Sequence, residues 1–201
     1  EEVFAAMMNQ YAARLGMTNT HFVNSTGWPH EAHYTTAKDM AILARAMVRD
    51  HPELYSLHAV KEYTYNGIKQ HNRNQLLWRD DSVDGIKTGH TESAGFCLVA
   101  SAKRDDMRLI SVVMGTDSIK ARTKATQSLL NFVFRFYETH KLYDAREAVA
   151  SGRVWKGTVD TLDMGIAESL WLTIPRSKYE QLDATVNIGT DIIAPVEKDS
   201  V

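Results

Sequence analysis

Two hundred and one residues with 44% hydrophobic content are enough to bury a sizeable core, which excludes a disordered or fibrous chain. Lys and Arg (23) nearly balance Asp and Glu (25), for a net charge of −2. With no long run of one sign, neither nucleic acid nor a membrane surface is expected as a partner. No apolar run approaches the ~18 residues that span a bilayer, and no charged n-region with an apolar h-region opens the chain. The start at Glu1-Glu2-Val3-Phe4 and the stop in strand-like sequence read as a piece cut from a longer protein.

Phe4, Met7, Met8, Tyr11 and Leu15 recur at helical spacing before Gly16, so a helix is expected over residues 2–15. A loop through Asn24-Ser25-Thr26-Gly27-Trp28-Pro29 follows. Thr36-Ala37-Lys38-Asp39 then opens a second helix with a capping hydroxyl and a first-turn acid. Met40, Leu43, Ala44, Met47 and Val48 form its apolar face, and Pro52 stops it, since the residue before a proline avoids the helical region. Tyr63-Thr64-Tyr65-Asn66-Gly67-Ile68 sets Asn-Gly among β-prone residues, the signal of a two-residue hairpin. Residues 83–114 read as an antiparallel meander whose charged turn is Lys103-Arg104-Asp105-Asp106. From Ser118 helical spacing returns to about residue 139, with Leu129, Leu130, Phe132, Val133, Phe136 and Tyr137 as the face expected to back the meander. After His140 short alternating runs indicate a small β-rich unit, and the domains are set at 1–142 and 143–201.

Three side features read as structural. Cys97, the sole cysteine, lies between Phe96 and Leu98 and resembles a small buried hydrophobe. His30 and His33 have a spacing that would ligate a metal on a helix, but Pro29 and the loop composition point to a polar loop, so no metal or cofactor is expected. Trp155 and Trp171 read as core of the β unit, with a ligand platform as the alternative.

The chemistry centres on Val83-Asp84-Gly85-Ile86-Lys87-Thr88-Gly89-His90-Thr91. On a strand edge, Lys87 supplies a fixed charge and Thr88 a hydroxyl donor for a carboxylate, while Gly89 lets another backbone approach. A peptide could then pair with the strand by β-augmentation. A Walker P-loop is ruled out, because it needs Gly immediately before Lys-Thr and Ile86 stands there.

Lys87-Thr88-Gly89 followed by Thr91, Ala94-Gly95 and Val99-Ala100-Ser101-Ala102 resembles the third active-site motif of the penicillin-binding D-alanyl-D-alanine carboxypeptidases of low molecular mass, of the serine peptidase S11 type. The resemblance extends through Asn19-Thr20-His21-Phe22, Thr35 to Met40, Asn72-Arg73-Asn74, Arg108 to Val113 and Phe134-Arg135-Phe136. It implies an α+β fold: the second half of a penicillin-binding, β-lactamase-like transpeptidase domain, an antiparallel meander backed by helices, followed by part of a small β-rich domain. It also implies that Lys87 positions and polarises active-site hydroxyls, that Thr88 holds the terminal carboxylate of a D-Ala-D-Ala pentapeptide, and that Gly89 lies at the substrate beside it. Arg122 and Arg73 would stand near the substrate, and the His90 backbone N–H would be an oxyanion donor. β-Lactams would be covalent inhibitors of the parent enzyme, in the bacterial periplasm. The tether to the inner membrane would be an amphipathic segment absent from this sequence.

One departure qualifies this. The family nucleophile is the Ser of a Ser-x-x-Lys motif, and a Ser-x-Asn motif forms a second wall. Neither occurs here: Ser101 meets Arg104 three residues on, Ser118 meets Ala121 and Ser177 meets Glu180. The expectation is a parent serine carboxypeptidase whose nucleophile half lies elsewhere, on a missing N-terminal part or a separate chain, leaving this chain alone inactive and marginally stable through unpaired edges. The alternatives are a serine β-lactamase-related hydrolase and an inert peptidoglycan-binding module.

Overall fold

The first helix, α1 (Glu2–Leu15), closes on Gly16 in the left-handed conformation (φ 80°), whose N–H bonds back to Ala12 and Ala13. The apolar face read from the sequence is not the buried one. Ala5 and Ala12 are buried, while Phe4, Met7 and Tyr11 are exposed beside a groove of ≈ 280 Å³ that Met17 and Leu43 also line. Helix α2 (Ala37–Asp50) begins as expected, with the Thr36 hydroxyl accepting from Asp39 N–H. Asp39 is itself buried, taking hydrogen bonds from Asn19 N–H and the Thr20 hydroxyl. These bonds fasten the segment before the loop to the start of α2. Pro52 opens a further short helix, α3 (Pro52–Ser56), which spacing over so few residues does not announce.

This computed structural model describes residues 1–187 and 192–197. Strands β1 (Glu62–Tyr65) and β2 (Ile68–His71) form the expected hairpin, with Asn66 and Gly67 both at positive φ. A short turn of helix over Gln75–Trp78 leads into the meander of β3 (Val83–Thr91), β4 (Gly95–Arg104) and β5 (Met107–Thr116), in the order β3-β4-β5. Its core is made by Leu98, Ala100, Ala102 and Val113, and Ile86 joins Ala44 of α2 and Tyr55 of α3 in one buried cluster.

Helix α4 (Ile119–Phe136) starts under the Ser118 hydroxyl, which accepts from Ala121 N–H. Its buried stripe is Arg122, Thr123, Thr126, Leu130 and Phe134. Of the face read from the sequence only Leu130 is buried; Leu129, Phe132 and Phe136 are exposed. The helix is tied to the meander side by polar contacts, with Gln127 donating to Asp80 at 2.9 Å and the Arg104 guanidinium lying 4.2 Å from the centre of the Phe134 ring. These contacts turn the helix away from its most apolar sequence face.

The chain separates into units of residues 1–135 and 136–201, earlier than the division after 142 read from the sequence. Residues to 139 were expected to be helical. Instead β6 (Tyr137–Tyr143) pairs with β9 (Leu170–Pro175), Thr139 bonding to Thr173 across the ladder at 2.8 Å. Cross-strand pairing of β-prone residues overrides the helical spacing there. A second sheet of this unit joins β7 (Ala148–Trp155) to β8 (Thr161–Gly165) and, in parallel, to the short β10 (Ile192–Ile193). Trp155 and Trp171 are not core: each is 43% exposed, with Arg153 over the first and Lys141 over the second. Their alternation along the strands points them outward, where a cation covers the ring face.

Candidate active-site edge

Strand β3 is an edge strand, and its two halves are held differently. In the first half, the side chains of Asn74 and His58 occupy outward backbone oxygens: Asn74 Nδ2 donates to Gly85 O at 2.9 Å, and His58 Nδ1–H donates to Ile86 O at 3.0 Å. Asn74 is 1% exposed, and its Oδ1 caps the following turn at Leu76 N–H. Beneath this end lies a polar knot. Tyr55 donates to Asp84 at 2.6 Å, and Arg108 donates to both Asp84 oxygens at 2.9 and 2.8 Å and to Ser101 at 2.6 Å. Burial works against the Asp84 charge, but the hydrogen bonds from Arg108 and Tyr55 outweigh it and hold its pKa below the ordinary aspartate value. Burial, reinforced by Asp84, pushes the Tyr55 phenol up to about 12.

The second half emerges from this packing into solvent. Lys87, Gly89 and His90 are exposed and Thr88 is half-buried. Lys87 Nζ donates to Thr88 O at 2.8 Å, folded back on its own strand. The His90 ring lies on Phe96, with centres 3.9 Å apart. Arg122, 4% exposed, reaches from α4 to donate to Gly89 O at 3.1 Å and Cys97 O at 3.2 Å. Burial lowers its pKa from the usual arginine value; Cys97 opposes this, and the positive charge of Arg73 adds to it. The guanidinium stays charged at neutral pH. Among the described residues, its hydrogen bonds go to backbone oxygens rather than to a carboxylate.

The structure therefore gathers five of the six residues singled out from the sequence along one strand edge or against it: Lys87, Thr88, Gly89, His90 and Arg122. Arg73 is exposed on the segment between the hairpin and Asn74, close enough for its charge to act on Arg122. Such an edge can accept an added strand through its backbone and hold an anion among its cations. Nothing inside the chain demands glycine at 89: a Cβ there would meet only Cys97 Cβ, at 3.8 Å. The space in front of Gly89 is open to a visitor.

Sequence reading missed the plugs on the first half of β3. Asn74 and Arg108 stood out only as members of the runs Asn72-Arg73-Asn74 and Arg108 to Val113, and no local pattern marks His58 or Tyr55; His58, Tyr55 and Arg108 reach Ile86 and Asp84 across distant parts of the chain. Cys97 is half-buried rather than a core hydrophobe, its Sγ facing Ala94 O at 3.4 Å. His30 and His33 fall in a turn, where His30 O accepts from His33 N–H. Burial, followed by the charges of His21 and His30, lowers the His33 pKa.

Comparison with known proteins adds independent findings. The sequence family of D-alanyl-D-alanine carboxypeptidases, peptidase S11, matches residues 1–118, and that of the penicillin-binding protein 5 C-terminal domain matches residues 137–201. D-alanyl-D-alanine carboxypeptidase DacA of Escherichia coli K12 is 42% identical over 203 residues, covering 100% of this chain and 50% of its own length. Among solved structures, penicillin binding protein 5 from Haemophilus influenzae superposes with a TM-score of 0.91 at 39% identity, covering 98% of this chain and 58% of that one. Penicillin-binding protein D2 from Listeria monocytogenes, solved in an ampicillin-bound form, gives 0.60 at 32% identity over 64% of this chain and 54% of its own. The chain spans about half the length of the curated relatives it matches.

Proposed function

Because the chain belongs to the D-alanyl-D-alanine carboxypeptidase family, we propose that it supplies one wall of the active site of a serine-type carboxypeptidase acting on peptidoglycan stem peptides. Thr88 and Arg122 hold the terminal carboxylate of a D-Ala-D-Ala peptide laid along β3, with Arg73 adding positive potential. Lys87 polarises the nucleophilic serine from across the cleft, and the His90 N–H helps receive the oxyanion. The Ser-x-x-Lys serine, absent from these 201 residues, comes from a part of the protein outside them. Its Oγ bonds to the penultimate D-Ala carbonyl, the peptide C–N bond breaks, and D-Ala leaves with the transferred proton. Water then hydrolyses the acyl-enzyme. Residues 1–135 belong to the catalytic domain and 136–201 to the β-rich one, seven residues earlier than the division read from the sequence. The setting is the bacterial periplasm, against the inner membrane; none of the described helices is long and apolar enough to cross one.

The observation that carries this reading is the buried Arg122, which spends its hydrogen bonds on Gly89 O and Cys97 O beside an open edge. A buried cation without a carboxylate partner is costly unless an anion visits it. The test is intact-protein mass spectrometry, after incubation with a penicillin, of a preparation in which these residues are present together with the part that carries the Ser-x-x-Lys serine. Attack on the lactam carbonyl opens the ring and expels nothing, so the acylated polypeptide gains the full mass of the drug. Stable gain supports the carboxypeptidase; rapid turnover without accumulation points to a β-lactamase; no gain in any polypeptide of the preparation overturns the reading.

A further inference from the structure

Edge-facing backbone groups recur every second residue along a strand, so Ile86, Thr88 and His90 present theirs to the same open side of β3. The side chains that cover them differ in kind. Thr88 O is covered by Lys87 Nζ at 2.8 Å, an ammonium on a flexible, exposed stem that can swing away. Ile86 O is covered by His58 Nδ1–H at 3.0 Å, and the neighbouring Gly85 O by Asn74 Nδ2 at 2.9 Å. These two plugs are fixed from behind by one residue. Asn72 Nδ2 donates to His58 O at 3.2 Å and to Val60 O at 3.1 Å, holding the turn that presents His58, and Asn72 Oδ1 accepts from Asn74 N–H at 2.9 Å. The His58 ring centre lies 5.9 Å from that of Tyr55, and its Cβ would stand 3.4 Å from a Cβ built on Gly85.

The direction of the peptide decides what the plugs do. With the oxyanion received at His90 N–H and the terminal carboxylate held at Thr88, the peptide runs antiparallel to β3, from His90 toward Thr88. Strand residues advance about 3.3 Å each, so a chain continuing past that carboxylate would reach Ile86. There the backbone acceptor is already taken, and the His58 ring stands in the path.

We propose that His58 and Asn74 are specificity-determining residues that close β3 beyond the leaving D-Ala, so that the enzyme removes a carboxyl-terminal residue and does not cut inside a longer peptide. This rests on the carboxypeptidase reading above. The carboxylate contacts of Thr88 and Arg122 are a separate source of the same preference, and the experiment must tell the two apart. It uses a preparation in which these residues are present together with the part that carries the Ser-x-x-Lys serine. The probes are two N-acylated peptides, one ending in D-Ala-D-Ala and the other extended by one glycine. In both, the serine Oγ bonds to the same D-Ala carbonyl and the same C–N bond breaks; D-Ala leaves from the first and D-Ala-Gly from the second, each with the transferred proton. Wild type should cut the extended peptide about 100-fold or more slowly. His58→Ala should raise kcat/KM for the extended peptide about tenfold or more and change that for the shorter one less than about twofold. His58→Asn, whose amide can donate to the same oxygen, should restore the exclusion. A merely structural role would move both peptides together. His58→Ser vacates Ile86 O as well and gives a second reading should the alanine variant lose the wild-type circular dichroism. Equal rates on the two peptides in wild type, or an exclusion that survives both His58→Ala and His58→Ser, overturns the proposal while D-Ala release and a penicillin adduct leave the carboxypeptidase reading standing. No release from either peptide and no adduct overturns that reading and this proposal with it.

Discussion

The two halves of β3 obey different rules although they are one continuous strand. In Val83–Ile86 each residue is accounted for by its neighbours. Val83 and Ile86 are buried, Asp84 is locked by Tyr55 and Arg108, and Gly85 is small because a Cβ would stand 2.8 Å from Tyr55 Oη. In Lys87–Thr91 the neighbours account for less: Lys87, Gly89 and His90 are exposed, Thr88 and Thr91 are only half-buried, and the glycine has room to spare. Residues that the fold does not require are free to serve a ligand, and the plugs at Gly85 and Ile86 set where that freedom begins.

The largest test of this contrast is Asp84→Ala. It strips a partly buried Arg108 of its carboxylate and Tyr55 of its acceptor, and should cost about 2 to 3 kcal/mol in urea unfolding, the scale of hydrogen bonds to charged groups. An unchanged midpoint would mean that the knot does not hold the strand. The same pair sets an acid limit. The folded pKa of Asp84 lies below its unfolded value near ~3.9, so its contribution is complete above about pH 4 and is lost as pH falls through the folded pKa.

Tyr55 sets the alkaline limit. Its phenol is raised to about 12 in the folded protein, against ~10 unfolded. The native state therefore keeps a proton that the unfolded chain releases, and stability falls as pH rises from about 10 toward 12, by roughly 2 kcal/mol in all. Tyr55→Phe should lower stability at neutral pH but flatten this alkaline decline. Parallel curves for wild type and variant, measured by thermal melting between pH 8 and 11, would assign the decline to another group.

How much of this was legible follows from the range of each interaction. The helices at 2–15 and 37–50, the Asn66-Gly67 hairpin and the three-stranded meander were legible because caps, turns and periodicity are local. So was the place of Lys87-Thr88-Gly89 on the first strand of that meander. Tyr55, His58 and Asn74 were not, since each matters through a partner 11 to 29 residues away. The burial of α4 was misread for a related reason. Arg122 and Thr126 occupy its inner stripe while Phe132 and Leu129 lie outside, so apolar spacing pointed to the wrong side.

The sharpest form of the contrast uses two glycines four residues apart. Gly85→Ala should destabilise by about 1 kcal/mol or more, because the new methyl meets Tyr55 Oη at 2.8 Å and the hydroxyl is pinned by Asp84. Gly89→Ala adds the same methyl to the same strand where the nearest side-chain atom is 3.8 Å away, and should change stability by less than ~0.5 kcal/mol. Its effect should fall on function instead. A Cβ at 89 would stand on the face of the sheet beside Cys97, where a ligand lying over the strand would meet it, so penicillin acylation of the intact protein should slow at least tenfold while the melting temperature stays put. If Gly89→Ala acylates at the wild-type rate, the open half of β3 is not where the acyl donor lies. If it melts early, the freedom ascribed to that half is wrong, and both halves of the strand are structural.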